Sequence, residues 1–283
     1  MTTNSLQGRT ILMSGGSRGI GLAIAIAAAR EGANVAILAK TDVPDPRLPG
    51  TIHTAAAEIE AAGGQALAIV GDVRDEASVE GAVAKTVERF GGIDIVINNA
   101  SAINLAGSAE LQMKRFDLMM SIEHRGTYLL TTKALPHLLK GTNPHILSLS
   151  PPMNMAPKWL GPHPAYTLAK YGMSLLTLCW SAEYAEAGIA SNCLWPETLI
   201  ATAAVQNLLG GDAAIEKSRT PEIVADAAVE ILKMDSRTVT GNTFIDVDVL
   251  REAGVTDLSK YGGTGELEYD LYVDPPADGS RPA

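Results

Sequence analysis

Short runs of apolar and β-branched residues alternate along the whole chain with longer segments of helical period. The runs Thr10–Met13, Asn34–Ala39, Ala66–Val70, Asp94–Asn98, His145–Leu149, Ala190–Leu194 and Asn242–Val247 are short and apolar enough to be buried strands. Between them the spacing predicts helices over Ile20–Arg30, His53–Ala62, Glu76–Phe90, Gln112–Leu139, Ala165–Ala187 and Pro221–Met234. Gly32, Gly63, Gly91 and Gly188 follow where helices stop most readily. Strands apolar throughout, rather than alternating, are covered on both faces, as in a parallel sheet. The expected fold is α/β: a doubly wound, seven-stranded parallel sheet with helices on both faces and its ligand at the carboxyl ends of the strands. A single domain is expected over residues 1–250, interrupted by a proline-rich loop at Thr41–Gly50. The extension 251–283 is acidic and carries Tyr261, Tyr269 and Tyr272. It is expected to pack on this domain or on a neighbouring subunit, ending in a loose arm.

The first helix is entered through Gly15-Gly-Ser17-Arg18-Gly19-Ile20-Gly21. In such a turn one glycine makes the bend, another admits a pyrophosphate to the backbone, and the third lets helix pack on strand. The helix N-terminus then offers free N–H groups and a positive dipole end to phosphate. Gly15, Ser17, Arg18, Gly19, Ile20 and Gly21 are therefore candidate cofactor contacts, with a plain structural turn as the alternative. At the end of the second strand an acidic residue takes the ribose 2′-hydroxyl and repels a 2′-phosphate. This strand ends in Ala39-Lys40 and meets no carboxylate before Asp42, so Lys40 and Arg18 favour NADP(H) over NAD(H). Asp72 and Val73 follow the third strand, and Asn99 and Ala100 the fourth, both at the ligand face. Asp72 reads as an adenine contact or as the cap of the next helix.

Tyr166 and Lys170, four apart in a helical stretch, share one face. The ammonium favours the phenolate and is expected to lower the Tyr pKa toward working pH, making the pair a candidate acid/base.

The formal net charge of −10 argues against nucleic acid or an anionic membrane as the main partner. The sequence shows neither a charged leader with an apolar core nor a stretch long enough to span a bilayer, so a cytoplasmic location is expected. Cys179 and Cys193 read as small buried hydrophobes, and the histidines lack ligand spacing, so no metal site is expected.

The set Gly15-x3-Gly-Ile-Gly21, Asn98-Asn-Ala100 and Tyr166-x3-Lys170 resembles the short-chain dehydrogenase/reductase family over residues 6–249. Ala39-Lys-Thr, Arg125-Gly-Thr-Tyr, Ser150-Pro-Pro and Trp195-Pro resemble a narrower branch. That branch holds hydroxysteroid dehydrogenase-like protein 2 and bacterial proteins labelled citronellol/citronellal dehydrogenases. The resemblance implies a Rossmann-fold NAD(P)(H) oxidoreductase, homodimeric or homotetrameric. Tyr166 would be its acid/base, and Lys170 would hold the nicotinamide ribose and acidify Tyr166.

Departures from the family pattern bear on the chemistry. The family's catalytic Ser falls at Met153 by its spacing from the Tyr and at Pro151 when the fifth strand is aligned, leaving Ser150 as the nearest hydroxyl to polarise a carbonyl. The family's helix Asn, which supports a water relay behind the Lys, is Glu123 here. Glu123 either competes with Tyr166 for the ammonium or holds the relay water itself. Glu197 replaces the Gly after the family's Pro, while Pro196, Thr198 and Thr202 remain as nicotinamide or phosphate contacts.

Pro151, Pro152, Met153, Met155, Trp159 and Leu160 precede the Tyr, and Trp195 and Leu199 follow the sixth strand. These point to a long or bulky apolar substrate. The expected activity is NADP(H)-dependent interconversion of an alcohol and a carbonyl. Two alternatives stay open: reduction of an enoyl or dienoyl thioester at the same cofactor site, and a low-turnover, redox-sensing cofactor-binding protein.

Overall fold

The computed structural model describes residues 5–44, 50–263 and 266–275. Much of the proline-rich loop and the end of the C-terminal arm lie outside them. Strands β1 (Thr10–Ser14), β2 (Asn34–Ala39), β3 (Gln65–Val70), β4 (Ile95–Asn98), β5 (His145–Leu149), β6 (Ala190–Trp195) and β7 (Thr243–Ile245) form one sheet. Their order is β3-β2-β1-β4-β5-β6-β7, and every neighbouring pair is parallel. The winding therefore reverses between β1 and β4, and a crevice opens above their carboxyl ends.

Alternation along each strand feeds two cores. Ile11 and Met13 of β1 pack with Val35 and Ile37 of β2 on one face, against α1 (Gly19–Arg30), α2 (Ile52–Ala61) and later helices. Leu12, Ala36 and Leu38 pack on the other, against α3 (Glu76–Phe90) and the helices that follow β4. Leu12 is fully buried, and burial of such a side chain contributes about 1.5–3 kcal/mol. The expected doubly wound architecture, with apolar strands covered on both sides, is what is observed.

Between β4 and β5 the helical run expected over Gln112–Leu139 is α4 (Met113–Met119), a π-helical segment (Met120–Gly126) and α5 (Thr127–Leu138) in succession. The wider π turn falls where Glu123 enters the interior with no exposed surface. A short α6 (Pro157–Leu160) precedes α7 (Pro164–Glu183), which ends before the expected Ala187. Short helices α8 (Ala203–Val205) and α9 (Asp212–Glu216) lead to α10 (Glu222–Lys233). The last strand is shorter than the apolar run suggests. Asp246 starts α11 (Asp246–Glu252), its carboxylate accepting from the N–H groups of Val247 at 2.8 Å and Glu197 at 2.9 Å. No described helix is long and apolar enough to cross a membrane.

One burial expectation fails. Cys193 on β6 is buried, but Cys179 is exposed. It lies one helical stripe along from Leu168 and Leu175, also exposed, so α7 presents an apolar outer edge as well as its inner face.

Candidate active site

The glycine turn packs tightly against the end of β4. A Cβ on Gly21 would lie 2.4 Å from Asn99 Nδ2, and one on Gly15, where φ is +76°, would lie 2.9 Å from Ala100 Cα. Asn99 Nδ2 donates to the Gly15 carbonyl at 2.8 Å, while Ser14 Oγ accepts from the Asn99 and Ala100 N–H groups at 3.2 and 3.1 Å. Asn99 thus braces the turn from the neighbouring strand. Arg18, the N-cap residue of α1, makes no side-chain cap, which leaves the first N–H groups of the helix for an anion.

A cleft of about 850 Å³ opens here. Gly15, Ser17, Arg18, Gly19, Ile20, Gly21, Lys40, Asp72, Val73, Asn99 and Ala100 all line it, as do Ser101 and Thr202. Pro196 and Thr198 do not: both are buried, and Thr198 pairs with the tail. Of the three expected from this stretch, only Thr202 lines the cleft.

At the β2 end of the cleft, Arg18 Nη2 donates to the Gly50 carbonyl at 3.1 Å, while its buried Nε has no hydrogen-bond partner among the described residues. Lys40 lies 3.7 Å from Asp72, so the carboxylate that seemed absent from the strand end arrives from β3. Arg74 holds Asp72 more closely, at 2.6 Å, and its hydrogen bonds keep that carboxyl down at about 2. The cap of α3 is Asp75, which accepts from the Ser78 N–H, so Asp72 has no capping duty.

Lys170 is buried beneath β5. Its Nζ donates to the Leu149 carbonyl at 3.1 Å, lies 3.8 Å from Glu123 Oε1, and sits 5.3 Å from the Trp195 ring centroid. Ser101 Oγ donates to the same Glu123 oxygen at 2.6 Å. Burial raises the Glu123 carboxyl and lowers the Lys170 ammonium from their ordinary values. Tyr166 departs from expectation: burial first, then the negative charges of Glu123 and Asp270, push its phenol well above the ordinary value. Lys170 is engaged elsewhere, and the chamber around Tyr166 is shut.

Ser150 is also fully buried. Its hydroxyl lies beside the Cys193 thiol, and the residue does not line the cleft.

The tail closes the chamber. Tyr269 bridges Thr198 in antiparallel fashion, Asp270 N donates to the Glu197 carbonyl, and Trp195 Nε1 donates to the Leu271 carbonyl, the last two at 2.9 Å. The Tyr272 ring centroid lies 5.1 Å from that of Tyr171, 5.9 Å from Trp159, 6.3 Å from Trp195 and 6.4 Å from Tyr166. Sequence reasoning missed Ser101, Asp270 and Tyr272 as neighbours of the pair. The one signal was the set of tyrosines in an acidic tail.

Residues 9–211 match the family model for short chain dehydrogenases. The chain belongs to the short-chain dehydrogenase/reductase family. It is 54% identical over 259 residues to hydroxysteroid dehydrogenase-like protein 2 of Danio rerio, covering 92% of this chain and 62% of that protein. The chain thus spans less than two thirds of this curated relative. Among solved structures, a short chain dehydrogenase from Mycobacterium thermoresistibile is 58% identical with a TM-score of 0.91, covering 98% of this chain and 100% of that one. A putative dehydrogenase from Xanthomonas campestris is 52% identical with a TM-score of 0.92, covering 96% and 100%. The narrower resemblance seen in the sequence holds, and the family is one of dehydrogenases and reductases that use a nicotinamide cofactor.

Proposed function

We propose that the chain is an NADP(H)-dependent oxidoreductase that interconverts an alcohol and a carbonyl on an apolar substrate, with Tyr166 as acid/base. The observation that carries the cofactor half is the end of β2. Ala39 stands where a ribose-binding carboxylate would be, and Lys40 and Arg18 line the cleft beside it. Glu58 and Asp72 also face this cleft, but Asp72 is held by Arg74, and the buried Nε of Arg18 has no partner among the described residues. The glycine turn, packed so closely on Asn99 and Ala100 that Gly15 and Gly21 admit no Cβ, and the uncapped α1 fit a dinucleotide pyrophosphate.

A bound nicotinamide supplies or accepts the hydride. Tyr166 supplies or takes the proton at the substrate oxygen, and its raised phenol is the protonated form that reduction requires. Lys170 holds its ammonium between the Leu149 carbonyl and Glu123, ready to orient a ribose and to stabilise the phenolate once the proton has left. Glu123 links Lys170 to Ser101 at the cleft wall. The closed chamber over Tyr166 favours a low-turnover reading, as do the displaced Ser and Glu123. Homo-oligomerisation through the outer edges of α5 and α7 completes the proposal, since Tyr128, Leu168 and Leu175 are all more than half exposed.

Calorimetric titration with both cofactors tests the cofactor assignment. NADPH is expected to bind at least about tenfold more tightly than NADH, about 1.4 kcal/mol, with Lys40→Asp moving the preference toward NADH. Equal affinities, or a preference for NADH, would remove the 2′-phosphate assignment.

A further inference from the structure

The apolar chamber over Tyr166 is already full. Leu271, Tyr272 and Val273 pack there with Tyr166, Trp159 and Trp195, and Tyr166 keeps only 4% of its surface exposed. A carbonyl oxygen has no route to the Tyr166 hydroxyl while this segment is docked.

Independent features mark the docked segment as displaceable. Tyr272 has φ +71°, a left-handed backbone that an aromatic side chain rarely adopts. The conformation persists because its ring is held among other rings and its hydroxyl lies 3.1 Å from Thr167 Oγ1. Docking also draws the Asp270 carboxyl inside, where burial raises it to about 7 and Asp246 adds repulsion, although Lys170 opposes the shift. Against these features stand the segment's bonds to the body: main-chain contacts with Glu197, Thr198, Leu199 and Lys217, and the Asp274 carboxylate held by Asn154, Trp159 and Lys158.

The shape of the filled space names what replaces the ring. Trp159, Tyr171, Trp195 and Tyr166 surround one phenol at centroid distances of 5.1–6.4 Å, so a flat ring of that size regains the same contacts.

We infer that Glu268–Asp274 is a gate over Tyr166, and that Tyr272 fills the subsite of an apolar carbonyl compound bearing a ring. This rests on the oxidoreductase reading above and adds its substrate class. Opening is a population shift: substrate binds the undocked form, and its apparent affinity is reduced by the fraction that is docked.

The test uses acetophenone with the NADP⁺-loaded full chain, a pair that cannot react, so binding is read without turnover. Calorimetry compares the unchanged protein with Tyr272→Gly, which accepts the positive φ and removes the plug, and with Tyr272→Phe, which keeps the ring. The expected result is about tenfold tighter acetophenone binding in Tyr272→Gly, with Tyr272→Phe within about twofold of the unchanged chain. Hydrogen exchange in residues 268–274 of the unchanged chain should rise as acetophenone binds.

The gate is overturned if Tyr272→Gly binds no more tightly, or if the segment stays protected while acetophenone binds. Binding to neither form overturns the ring subsite. Turnover with NADPH, measured alongside, separates the two readings. Its absence together with tightened binding in Tyr272→Gly would remove the oxidoreductase reading and leave the gate standing.

Discussion

Glu123 sits between the two halves of the chemistry. Its carboxylate is 3.8 Å from the Lys170 ammonium, and its charge is among those that raise the Tyr166 phenol. Replacing it with a neutral amide removes a negative neighbour of Tyr166, so the phenol should ionise more readily. The sign follows for reduction, which needs the protonated phenol. In Glu123→Asn, the limb on which rate is lost at high pH should move to lower pH, and turnover at neutral pH should rise a few-fold as Lys170 is freed to act on Tyr166. The measurement is kcat/KM against pH for both proteins; superimposable profiles would dissociate position 123 from the Tyr166–Lys170 pair.

The same scale shows what a sequence can and cannot disclose. Gly15, Gly21, Tyr166 and Lys170 were legible because each answers a local requirement: a positive φ, a close approach of chains, or two groups on one helix face. The direction of Ser150 was not. At a strand end a shift of one residue sends the side chain to the opposite face, and Ser150 turns toward Cys193. Asp72 was legible as a cleft residue, but not its capture by Arg74, two residues on, which depends on the loop's folded path.

Among the elements, strands and helices whose pattern spans several turns were placed well, and ends were not. The run Asn242–Val247 breaks at Asp246 because a carboxylate capping the Val247 N–H competes with further pairing. The π segment leaves no mark in the apolar spacing of Gln112–Leu139, and only the inward turn of Glu123 betrays it. Cys179 was misplaced because an apolar helix face looks the same in sequence whether it meets the core or another subunit. That ambiguity carries its own prediction. If the stripe on α7 is an interface, Leu175→Glu puts a charge into it and should reduce the mass measured by light scattering to that of a smaller assembly, with the circular dichroism spectrum retained. An unchanged mass would place the interface elsewhere or show that there is none.

At the scale of the whole molecule, the doubly wound sheet sets the cleft at the β1–β4 reversal, and the tail returns to cover the neighbouring chamber. The first of these follows from the order of apolar runs. The second depends on Glu268–Asp270 meeting Glu197–Leu199, a contact across many residues of intervening chain that no local pattern announces. The cleft at the glycine turn connects with the Tyr166–Lys170 pair through Ser101, which lines it, and Glu123.

The central claim is that Tyr166 moves the proton at the substrate oxygen in an NADPH-dependent reduction. Tyr166→Phe tests it most directly, with NADPH affinity from calorimetry and ketone reduction measured on the same preparation. The expected result is an affinity within a few-fold of the unchanged chain and turnover lower by about two to four orders of magnitude, the weight of a positioned acid. Turnover near that of the unchanged chain, with NADPH still bound, would contradict it.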